Sequence, residues 1–395
     1  MTTGFDPAAV LGALREVLPE KQQFIPLHEP EFSGKEWLYV KECLDTGWVS
    51  SVGGFVDRFE EGLAEYTGAK RAVAVVNGTA ALQVCLLLAG VTRGDEVFLP
   101  ALTFVATANA ATYCGAIPHF VDSEERTLGL DPAKLKAHLQ EISDVRGDGC
   151  YNRRTGRRLK AVVAMHTFGH PVDLDPLTAV CGQFGLTLIE DAAESLGSFY
   201  KGKHTGNWGK LSALSFNGNK TITTGGGGAI LTNDEDLGSM AKHLTTTAKV
   251  PHEWEFRHDR IGYNYRLPNI NAALGCAQLE QLPAFLKRKR LLAERYRTVF
   301  SKMEGLRFFI EPEFARSNYW LNTLLLDATC AGELENVLRL ANRNGIMARP
   351  AWTLLQKLPM YRECPRMDLS VAESLEKRLI NIPSSAALGG TCATA

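Results

Sequence analysis

Residues 71–90 read RAVAVVNGTAALQVCLLLAG, an apolar run that ends in Asn-Gly-Thr and passes at once into a helix-like segment. DEVFLPALTFVATANAATYCGAIPHFVD (95–122) repeats that alternation. Short buried strands that alternate with helices predict βαβ units and a largely parallel sheet. LKAVVAMHTFGH (159–170), GLTLIEDAAESLGSFY (185–200) and KLSALSFNGNK (210–220) continue the pattern, each a strand that ends in small or polar residues. An open α/β sheet binds ligands at the carboxyl ends of its strands, so a site is expected at that edge.

A second, smaller unit is predicted after about Asn269. The stretch NAALGCAQLEQLPAFLKRKRLLAERYRTVFSKM (271–303) has the charge pattern of long helices. An α+β pattern follows, with strands in NYWLNTLLLD (318–327) and IMARPAW (346–352) and a helix in GELENVLRLANRNG (332–345). The sequence therefore predicts an α/β protein with a large, mostly parallel sheet domain and a smaller α+β domain.

Three regions are expected on this basis. Residues 49–270 are predicted to form the large domain, and residues 271–395 the small one. The N-terminal segment, 1–48, has no strand partner nearby, so it is expected to pack on the small domain.

The composition argues against several classes of partner. The 395 residues are 45 % hydrophobic, which is enough for two packed cores, and the formal net charge is −1. A balanced charge lacks the basic footprint of a protein that tracks nucleic acid or an anionic membrane surface, so the expected partners are small molecules or other protein chains. One group of basic residues favours a solvated hairpin over a binding patch: Arg153, Arg154, Arg157, Arg158 and Lys160.

No feature of the sequence predicts a metal site, export or a membrane span. The nine cysteines form no CxxC pair and no Cys/His spacing that suits a metal, and the odd count fits reduced thiols. The first residues lack the apolar core of a signal peptide, and the longest apolar runs are too short to cross a bilayer. A cytoplasmic location is therefore expected.

An acid and an amine follow two consecutive strands. Asp191 ends one buried run and Lys220 follows the next, so both side chains are expected in one crevice. A strand-end carboxylate can simply cap a turn, and the two groups can form an ion pair. They are also the groups that pyridoxal phosphate requires. A desolvated lysine forms an imine with its aldehyde, and a carboxylate keeps its pyridine nitrogen protonated.

A phosphate site is predicted at NGTAAL (77–82). Gly78 lets backbone amides approach an anion, and Thr79 supplies a hydroxyl and is expected to cap a helix that runs to Gly90. The N-terminus of that helix offers free N–H groups. Taken alone, the motif is also an ordinary strand-to-helix turn. Glycines 225–228 match no nucleotide-binding pattern and are expected to form a tight turn beside Lys220. His166 ends a strand, but a satisfied core histidine is the preferred interpretation.

Five motifs together resemble a known family. They are NGTAAL, PALTFVATANA (100–110), EDAAES (190–195), GKLSALSFNGNK (209–220) and GYNYRLPNINAALG (262–275). In this order they are similar to the sugar-nucleotide aminotransferases of the DegT/StrS type, and the resemblance extends over about residues 24–385. It implies the fold of the aspartate aminotransferases, fold type I of the pyridoxal phosphate enzymes, with a mostly parallel seven-stranded sheet in the large domain.

That resemblance also implies roles for individual residues. Lys220 would be the Schiff-base lysine and proton shuttle, and Asp191 the partner of the pyridine nitrogen. The other implied cofactor contacts are Gly78, Thr79 and Ser215 on the phosphate, Phe104 stacked on the ring, Glu194 near the ring hydroxyl, where the family often has glutamine, and Asn264 on the phosphate of the neighbouring subunit. Each active site would then be shared across a homodimer.

A narrower resemblance concerns the substrate. Residues 26–61, residues 151–169 and SNYWLNTLLLD (317–327) are similar to the subgroup that aminates carbon 4 of UDP-linked 4-keto-6-deoxy-N-acetylglucosamine. L-Glutamate is the usual donor, and the products feed bacillosamine, legionaminic acid and related surface glycans such as O-antigen. Paralogues that act on GDP- or dTDP-linked keto-sugars, at carbon 3 or 4, share most of these motifs and remain the alternative.

Several residues lie in segments that could line the sugar and nucleotide pocket: His28, Trp48, Ser50, Ser51, Tyr319, Trp320 and Arg349. For Tyr319 and Trp320 packing is the other interpretation, and for Arg349 it is a surface ion pair.

Two rival functions stay open. One rival keeps pyridoxal phosphate but removes a hydroxyl group at carbon 3 instead of transferring an amino group. The family's dehydratases replace the lysine with histidine, so Lys220 argues against this reaction. A non-catalytic sensor that binds the cofactor would be expected to carry a DNA-binding module or a long linker, and neither is apparent.

Overall fold

The computed structural model describes residues 5–19 and 22–390. The helices are α1 (Pro7–Val17), α2 (Glu36–Thr46), α3 (Gly54–Thr67), α4 (Gly78–Leu88), α5 (Val105–Tyr113), α6 (Pro132–Ile142), α7 (Leu174–Phe184), α8 (Glu235–Thr245), α9 (Asn269–Phe300), α10 (Leu334–Arg343) and α11 (Ser370–Glu376). The strands are β1 (Arg71–Val75), β2 (Glu96–Pro100), β3 (Ile117–Val121), β4 (Ser143–Arg146), β5 (Gly149–Asn152), β6 (Arg158–Met165), β7 (Thr187–Asp191), β8 (Phe199–Tyr200), β9 (Lys203–His204), β10 (Leu211–Ser215), β11 (Gly228–Thr232), β12 (Lys249–Val250), β13 (Arg257–His258), β14 (Leu306–Phe308), β15 (Ala315–Arg316), β16 (Asn322–Leu326), β17 (Arg349–Pro350) and β18 (Leu379–Ile382).

The central sheet has the strand order β1-β11-β10-β7-β6-β2-β3. The four neighbour pairs from β10 to β3 are parallel, and β11 runs antiparallel to both of its neighbours. These seven strands are the predicted mostly parallel sheet, and the fold class is confirmed. The hairpin β4–β5 pairs with β6 and brings the whole sheet to nine strands.

Side chains on both faces of this sheet are buried, because helices cover each face. In β1, Val73 and Val75 join the core beneath α4 and α5, whereas Ala72 and Ala74 join the core beneath α3 and α9. That alternation is the two-residue period of a strand. Apolar residues at every position therefore suit this sheet, as in other parallel sheets covered on both sides.

The smaller unit is built on a four-stranded antiparallel sheet with the order β14-β16-β18-β17. Its core combines residues of these strands with residues of α1, α9 and α10. Residues near the N-terminus pack here, since Val10 and Leu14 are buried in this core and Ile25 bridges to Ile346. The division into 1–48, 49–270 and 271–395 as domains stays a prediction.

The predicted basic hairpin lies at the amino end of β6, where β5 pairs with Arg158 and Leu159. Arg153, Arg154 and Arg157 are exposed on the turn between β5 and β6. The turn is held by the buried carboxylate of Glu96, which accepts hydrogen bonds from Asn152 Nδ2 at 3.0 Å and Thr155 Oγ1 at 2.7 Å. Within the described ranges, no helix combines the length and apolar character needed to cross a bilayer.

Candidate active site

A cavity of about 360 Å³ opens at the carboxyl ends of β1, β2, β6, β7 and β10. Eight residues predicted from the sequence line it: Gly78, Thr79, Phe104, Asp191, Glu194, Ser215, Lys220 and Trp320. The other lining residues are Asn77, Leu82, Ala106, Met165, Ala193, Asn217, Asn219 and Trp352. The sheet therefore brings an amine, two carboxylates and a helix N-terminus to one concave site at the edge where ligands are expected.

Lys220 lies on the loop between β10 and β11, with its amine held between an acid and an indole ring. Its Nζ lies 3.3 Å from Glu194 Oε1 and 3.9 Å from the centroid of the Trp320 ring. Trp320 Nε1 donates to the carbonyl of Asn219 at 2.8 Å, which ties the ring to the lysine loop. Only 14 % of the Lys220 side chain is exposed, so the amine lies inside the cavity and is largely shielded from water.

Asp191 ends β7 and lies one strand away from the lysine loop, because β7 pairs in parallel with β10. Its Oδ2 accepts a hydrogen bond from Thr107 Oγ1 at 2.7 Å, and its Oδ1 accepts one from the Ala193 N–H at 3.2 Å. Burial raises the pKa of Asp191, while these two hydrogen bonds and the Lys220 charge oppose the rise. The carboxylate thus faces the cavity with both oxygens oriented.

Glu194 is the second buried carboxyl group of the cavity. Its Oε2 accepts a hydrogen bond from the Phe168 N–H at 2.9 Å. Burial raises its pKa to about 7, although the Lys220 charge acts in the other direction. Glu194 can therefore carry or release a proton near neutral pH, directly beside the lysine amine.

The N-terminus of α4 forms a cradle for an anion. Asn77 caps the helix, not Thr79 as predicted, since the Asn77 Oδ1 accepts the Ala80 N–H at 2.8 Å and Thr79 already lies inside the first turn. The N–H groups of Gly78 and Thr79 have no partner among the described residues. A Cβ on Gly78 would lie 3.0 Å from Ser215 Cβ, so a side chain there would crowd the cradle. The free N–H groups, the hydroxyl groups of Thr79 and Ser215 and the helix dipole together form the donor set that a phosphate requires.

The lysine loop closes through glycine. Gly225 has a φ of +78°, which favours glycine, and a Cβ on Gly228 would lie 2.5 Å from the Asn77 carbonyl carbon. The glycine run thus makes the turn after Lys220 and lets β11 approach the start of α4 closely.

Other residues proposed for the sugar pocket lie outside this cavity. Trp48, Ser50 and Arg349 are exposed elsewhere, Ser51 is half-buried, and Tyr319 is buried against Phe308 and His170. His28 has two buried ring nitrogens without a hydrogen-bond partner in the described residues. Burial and the charges of Lys289 and Lys220 lower its pKa well below the usual range. The sugar-binding roles of these residues stay predictions.

Asn264 is exposed and does not line the cavity of its own chain. Its Oδ1 accepts hydrogen bonds from Arg266 at 3.2 and 3.3 Å. A contact from Asn264 to the cradle of a neighbouring subunit stays a prediction as well.

His166 is a satisfied core histidine. Its Nδ1 accepts the Val172 N–H at 3.3 Å, so its Nε2 carries the proton and donates to Glu190 Oε2 at 3.0 Å. Glu190 also accepts three backbone N–H groups, from Gly206, Trp208 and Gly209. Burial opposes ionisation of Glu190, yet these bonds outweigh it and lower its pKa. The pair fixes the loop before β10 and does not line the cavity.

Two features of the site escaped the sequence reasoning, one behind Asp191 and one in the cavity wall. Thr107 bonds Asp191 from α5, and the only sequence signal was a pair of threonines one helical turn apart, Thr103 and Thr107. Trp352 packs 4.9 Å from Phe168 and 6.4 Å from Phe104, ring centroid to ring centroid. No group of three or more metal-ligating side chains occurs in residues 5–19 and 22–390.

The residues present fit pyridoxal phosphate. The cradle at α4 suits its phosphate, Asp191 suits its ring nitrogen, Lys220 suits its aldehyde, and Phe104 offers an aromatic face in the same cavity.

Comparison with known proteins points the same way. The model of the DegT/DnrJ/EryC1/StrS aminotransferase family matches residues 31–393. A pyridoxal phosphate-dependent aminotransferase of Bacillus subtilis designated EpsN is 41 % identical over 91 % of this chain and 90 % of its own. A GDP-perosamine synthase of Escherichia coli O157:H7 is 38 % identical over 92 % of this chain and 93 % of its own.

Solved structures show the same fold. The aminotransferase TlmJ from Streptoalloteichus hindustanus superposes with a TM-score of 0.82 at 29 % identity, covering 92 % of this chain and 94 % of that one. DesI, solved with its TDP-sugar product, gives a TM-score of 0.82 at 28 % identity, covering 93 % of this chain and 89 % of that one.

The family match covers most of the chain, so the expected cofactor is confirmed as pyridoxal phosphate. The relatives' names, which include GDP-perosamine synthase, do not confirm the narrower resemblance to the UDP-linked bacillosamine subgroup. The chain belongs to the DegT/DnrJ/EryC1/StrS family of aminotransferases, which act on nucleotide-linked sugars with pyridoxal phosphate.

Proposed function

We propose that this protein transfers an amino group from L-glutamate to carbon 4 of a UDP-linked 4-keto-6-deoxy-N-acetylhexosamine. The observation that carries the proposal is that one cavity contains the Lys220 amine, the Asp191 carboxylate and the N-terminus of α4. When bound there, pyridoxal phosphate would supply an aldehyde that takes up the amino group and a ring that accepts the electron pair.

Lys220 is the proposed proton carrier. Its amine takes a proton from the donor amino acid, and in the second half-reaction it delivers a proton to the carbon that receives the nitrogen. General acid–base help of this kind contributes about 10²–10⁴-fold to a rate. Trp320 and Glu194 orient the amine for this task, since both lie within 4 Å of it.

Asp191 and the α4 cradle are proposed to hold the cofactor. Asp191 would keep the ring nitrogen protonated, and Gly78, Thr79 and Ser215 would bind the phosphate. Glu194 replaces the glutamine that many family members have near the ring hydroxyl, so a hydrogen bond from Glu194 to that hydroxyl requires one of the two groups to be protonated.

The nucleotide is the least constrained part of the proposal. The UDP-N-acetyl assignment rests on similarity in residues 26–61, 151–169 and 317–327. A GDP-linked 4-keto-6-deoxy sugar is the second candidate, because three relatives 36–38 % identical to this chain are named GDP-perosamine synthases. The retained lysine argues against a dehydratase, and catalysis is favoured over a sensor role by the complete set of groups in the cavity.

A homodimer with shared active sites is part of the proposal. Large apolar side chains are exposed in the segment that precedes Asn264 in the sequence, with Trp254 74 %, Phe256 81 % and Ile261 85 % exposed. Patches of this kind on a folded chain favour a protein interface. A second copy of the chain would cover them and bring Asn264 to the neighbouring cradle.

The test is a substrate panel. The purified protein is incubated with L-glutamate and UDP-, GDP- and dTDP-linked 4-keto-6-deoxy sugars, and the products are identified by mass and NMR. We expect an amine at carbon 4 of the UDP-N-acetyl sugar with the highest kcat/KM. Preferential turnover of the GDP sugar would select the second candidate, and turnover of none would contradict the proposed reaction.

A further inference from the structure

The hydroxyl group of Thr107 makes an unusual bond for a threonine in a helix. Helical threonines commonly donate to the carbonyl four residues earlier, and Thr46, Thr67, Thr112, Thr245 and Thr298 do so in this chain. Thr107 lies in the first turn of α5 and donates instead across the domain, to Asp191 Oδ2 at 2.7 Å. Thr107 is 1 % exposed, so water does not compete for this hydrogen bond.

The direction of the hydrogen bonds is determined by the acceptor. Thr107 Oγ1 donates to Asp191 Oδ2, and a hydroxyl group has one proton to donate. The Thr103 hydroxyl lies 3.0 Å from Thr107 Oγ1 and must therefore be the donor in that contact. Thr103 is fully buried, and the two hydroxyls form a chain that ends on the carboxylate. Hydrogen bonds arranged in series polarise one another in a site of low dielectric.

The carboxylate needs this support because burial opposes its charge. Burial is the largest influence on the pKa of Asp191 and raises it, and the Thr107 hydroxyl is the largest of the influences that lower it, ahead of the Ala193 N–H, Lys220 and His166. A carboxylate that loses such a bond holds a proton more strongly.

We propose that Thr107, supported by Thr103, is a positioning residue that keeps Asp191 ionised and oriented, so that a proton shared with the cofactor stays on the ring nitrogen. The proposal rests on the role given to Asp191 above. Asp191 Oδ2 accepts the hydrogen bond from Thr107 on α5, and Oδ1 accepts the one from the Ala193 N–H. The carboxylate therefore cannot rotate without breaking both hydrogen bonds. Without the hydroxyl, the proton would move from the ring to the carboxylate, and the ring would accept electrons less well.

The experiment uses the holoenzyme loaded with pyridoxal phosphate labelled with ¹⁵N in the ring. The ¹⁵N chemical shift reports directly whether the ring nitrogen is protonated. We expect the protonated position in the wild type, and a displacement toward the neutral-pyridine position in Thr107→Val and in Thr107→Ala. Thr107→Ser retains the hydroxyl and should restore the wild-type shift. Thr103→Val should move the resonance in the same direction by a smaller amount.

The matched control is Thr112→Val, on the same helix, whose hydroxyl donates to the Ala108 carbonyl at 3.0 Å instead of to a carboxylate of the cavity. It should keep the wild-type shift and rate, whereas kcat of Thr107→Val should fall about 10-fold or more with KM for the sugar unchanged. A protonated ring in both hydroxyl-free variants would overturn the proposal. A protonated ring in Asp191→Asn would instead refute the role of Asp191 itself, so the two failures are distinguishable.

Discussion

At the scale of single residues, two adjacent carboxylates have opposite tasks. Glu190 and Asp191 are consecutive in β7, so their side chains point to opposite faces of the strand. Glu190 accepts four hydrogen bonds and ties His166 and the 206–209 loop together. Asp191 faces the cavity and the lysine loop. One carboxylate therefore serves the fold and the other the proposed chemistry.

Substituting each by its amide should separate these tasks. Asp191→Asn should lower kcat on the order of 100-fold, because an amide cannot stabilise a positive ring nitrogen, while stability to urea changes by about 1 kcal/mol or less. Glu190→Gln should instead cost about 3 kcal/mol of unfolding free energy, since an amide nitrogen would face buried N–H donors. Urea unfolding and steady-state rates measure both effects. Equal losses of rate and stability in the two variants would contradict the division.

Glu194 should make the stability of the cofactor-free protein depend on pH. Burial raises its pKa from the usual 4.5 to about 7, so the folded state binds more protons than the unfolded state between these values. Its stabilising contribution is complete below pH 4.5 and is lost as the pH rises through 7. Lys220 and Asp191 are the charged groups that face it, and their opposing effects are included in that pKa.

The measurement is urea unfolding of the cofactor-free wild type and Glu194→Gln between pH 4.5 and 8. The stability of the wild type relative to the variant should fall by an amount on the order of 3 kcal/mol across this range, because the amide does not ionise. Glu61→Gln on the exposed face of α3 serves as the control and should run parallel to the wild type. Parallel curves for Glu194→Gln would show that this carboxyl titrates normally.

Sequence reasoning found the residues at the ends of strands and at the start of α4, and it missed Thr107, which reaches Asp191 from α5. Asp191, Ser215 and Lys220 follow apolar runs, so the edge of the sheet predicts their meeting. Thr107 meets Asp191 across 84 positions of sequence, and only the packing of α5 on the sheet creates that contact. A threonine in a helix carries no local signal that its hydroxyl will bond a distant carboxylate.

At the scale of elements, the start of α4 is the part of the fold most directly committed to an anion. The helix begins at the carboxyl end of β1, Asn77 caps it, and the first two N–H groups remain available. Strand β11 passes close behind Asn77 because Gly228 has no side chain. The sequence predicted the helix but assigned its cap to Thr79 instead of Asn77. It did not indicate that β11 would be antiparallel or pack here, since that depends on the strand order.

Gly78→Ala should weaken cofactor binding. The added Cβ would lie 3.0 Å from Ser215 Cβ and 3.4 Å from the Leu214 carbonyl, so the two sides of the cradle would be pushed apart. A displacement that costs about 1.4 kcal/mol of binding free energy raises the dissociation constant about tenfold. Fluorescence titration of the cofactor-free protein with pyridoxal phosphate measures that constant.

The control is Gly182→Ala in α7, where an added Cβ meets nothing within 4 Å. It should leave the dissociation constant unchanged and stabilise the helix by up to about 1 kcal/mol. An affinity of Gly78→Ala equal to that of the control would remove the α4 cradle from the proposed phosphate site.

At the scale of the whole molecule, the described cavity accounts for the cofactor better than for the sugar nucleotide. Of the residues expected to contact the sugar, Trp320 lines the cavity, whereas Trp48, Ser50 and Arg349 lie exposed outside it. Contacts made with a second chain cannot be derived from the order of residues in one chain. The exposed apolar side chains in the segment before Asn264 favour such contacts with a second chain.

Subunit complementation tests the proposed sharing of each site across a homodimer. If the sites are shared, Lys220→Ala and Asn264→Ala homodimers should both be nearly inactive, because each lacks one component at both sites. In a mixed dimer, the Asn264→Ala chain provides Lys220 and its partner provides Asn264, so one of the two sites is intact. Random pairing should then restore about one quarter of wild-type activity, since half of the dimers are mixed and each has one working site.

The matched control mixes Lys220→Ala with Asp191→Asn. Both residues belong to the cavity of their own chain, so no combination of these subunits contains an intact site, and activity should stay at the level of the separate variants. Differently tagged subunits that are co-expressed and purified as mixed dimers make the comparison quantitative.

Recovery in the control pair would mean that the cavity itself is assembled from two chains. A mixed Lys220→Ala and Asn264→Ala dimer without activity would mean that Asn264 acts within its own chain, and a wild type that stays monomeric at assay concentration would exclude sharing altogether.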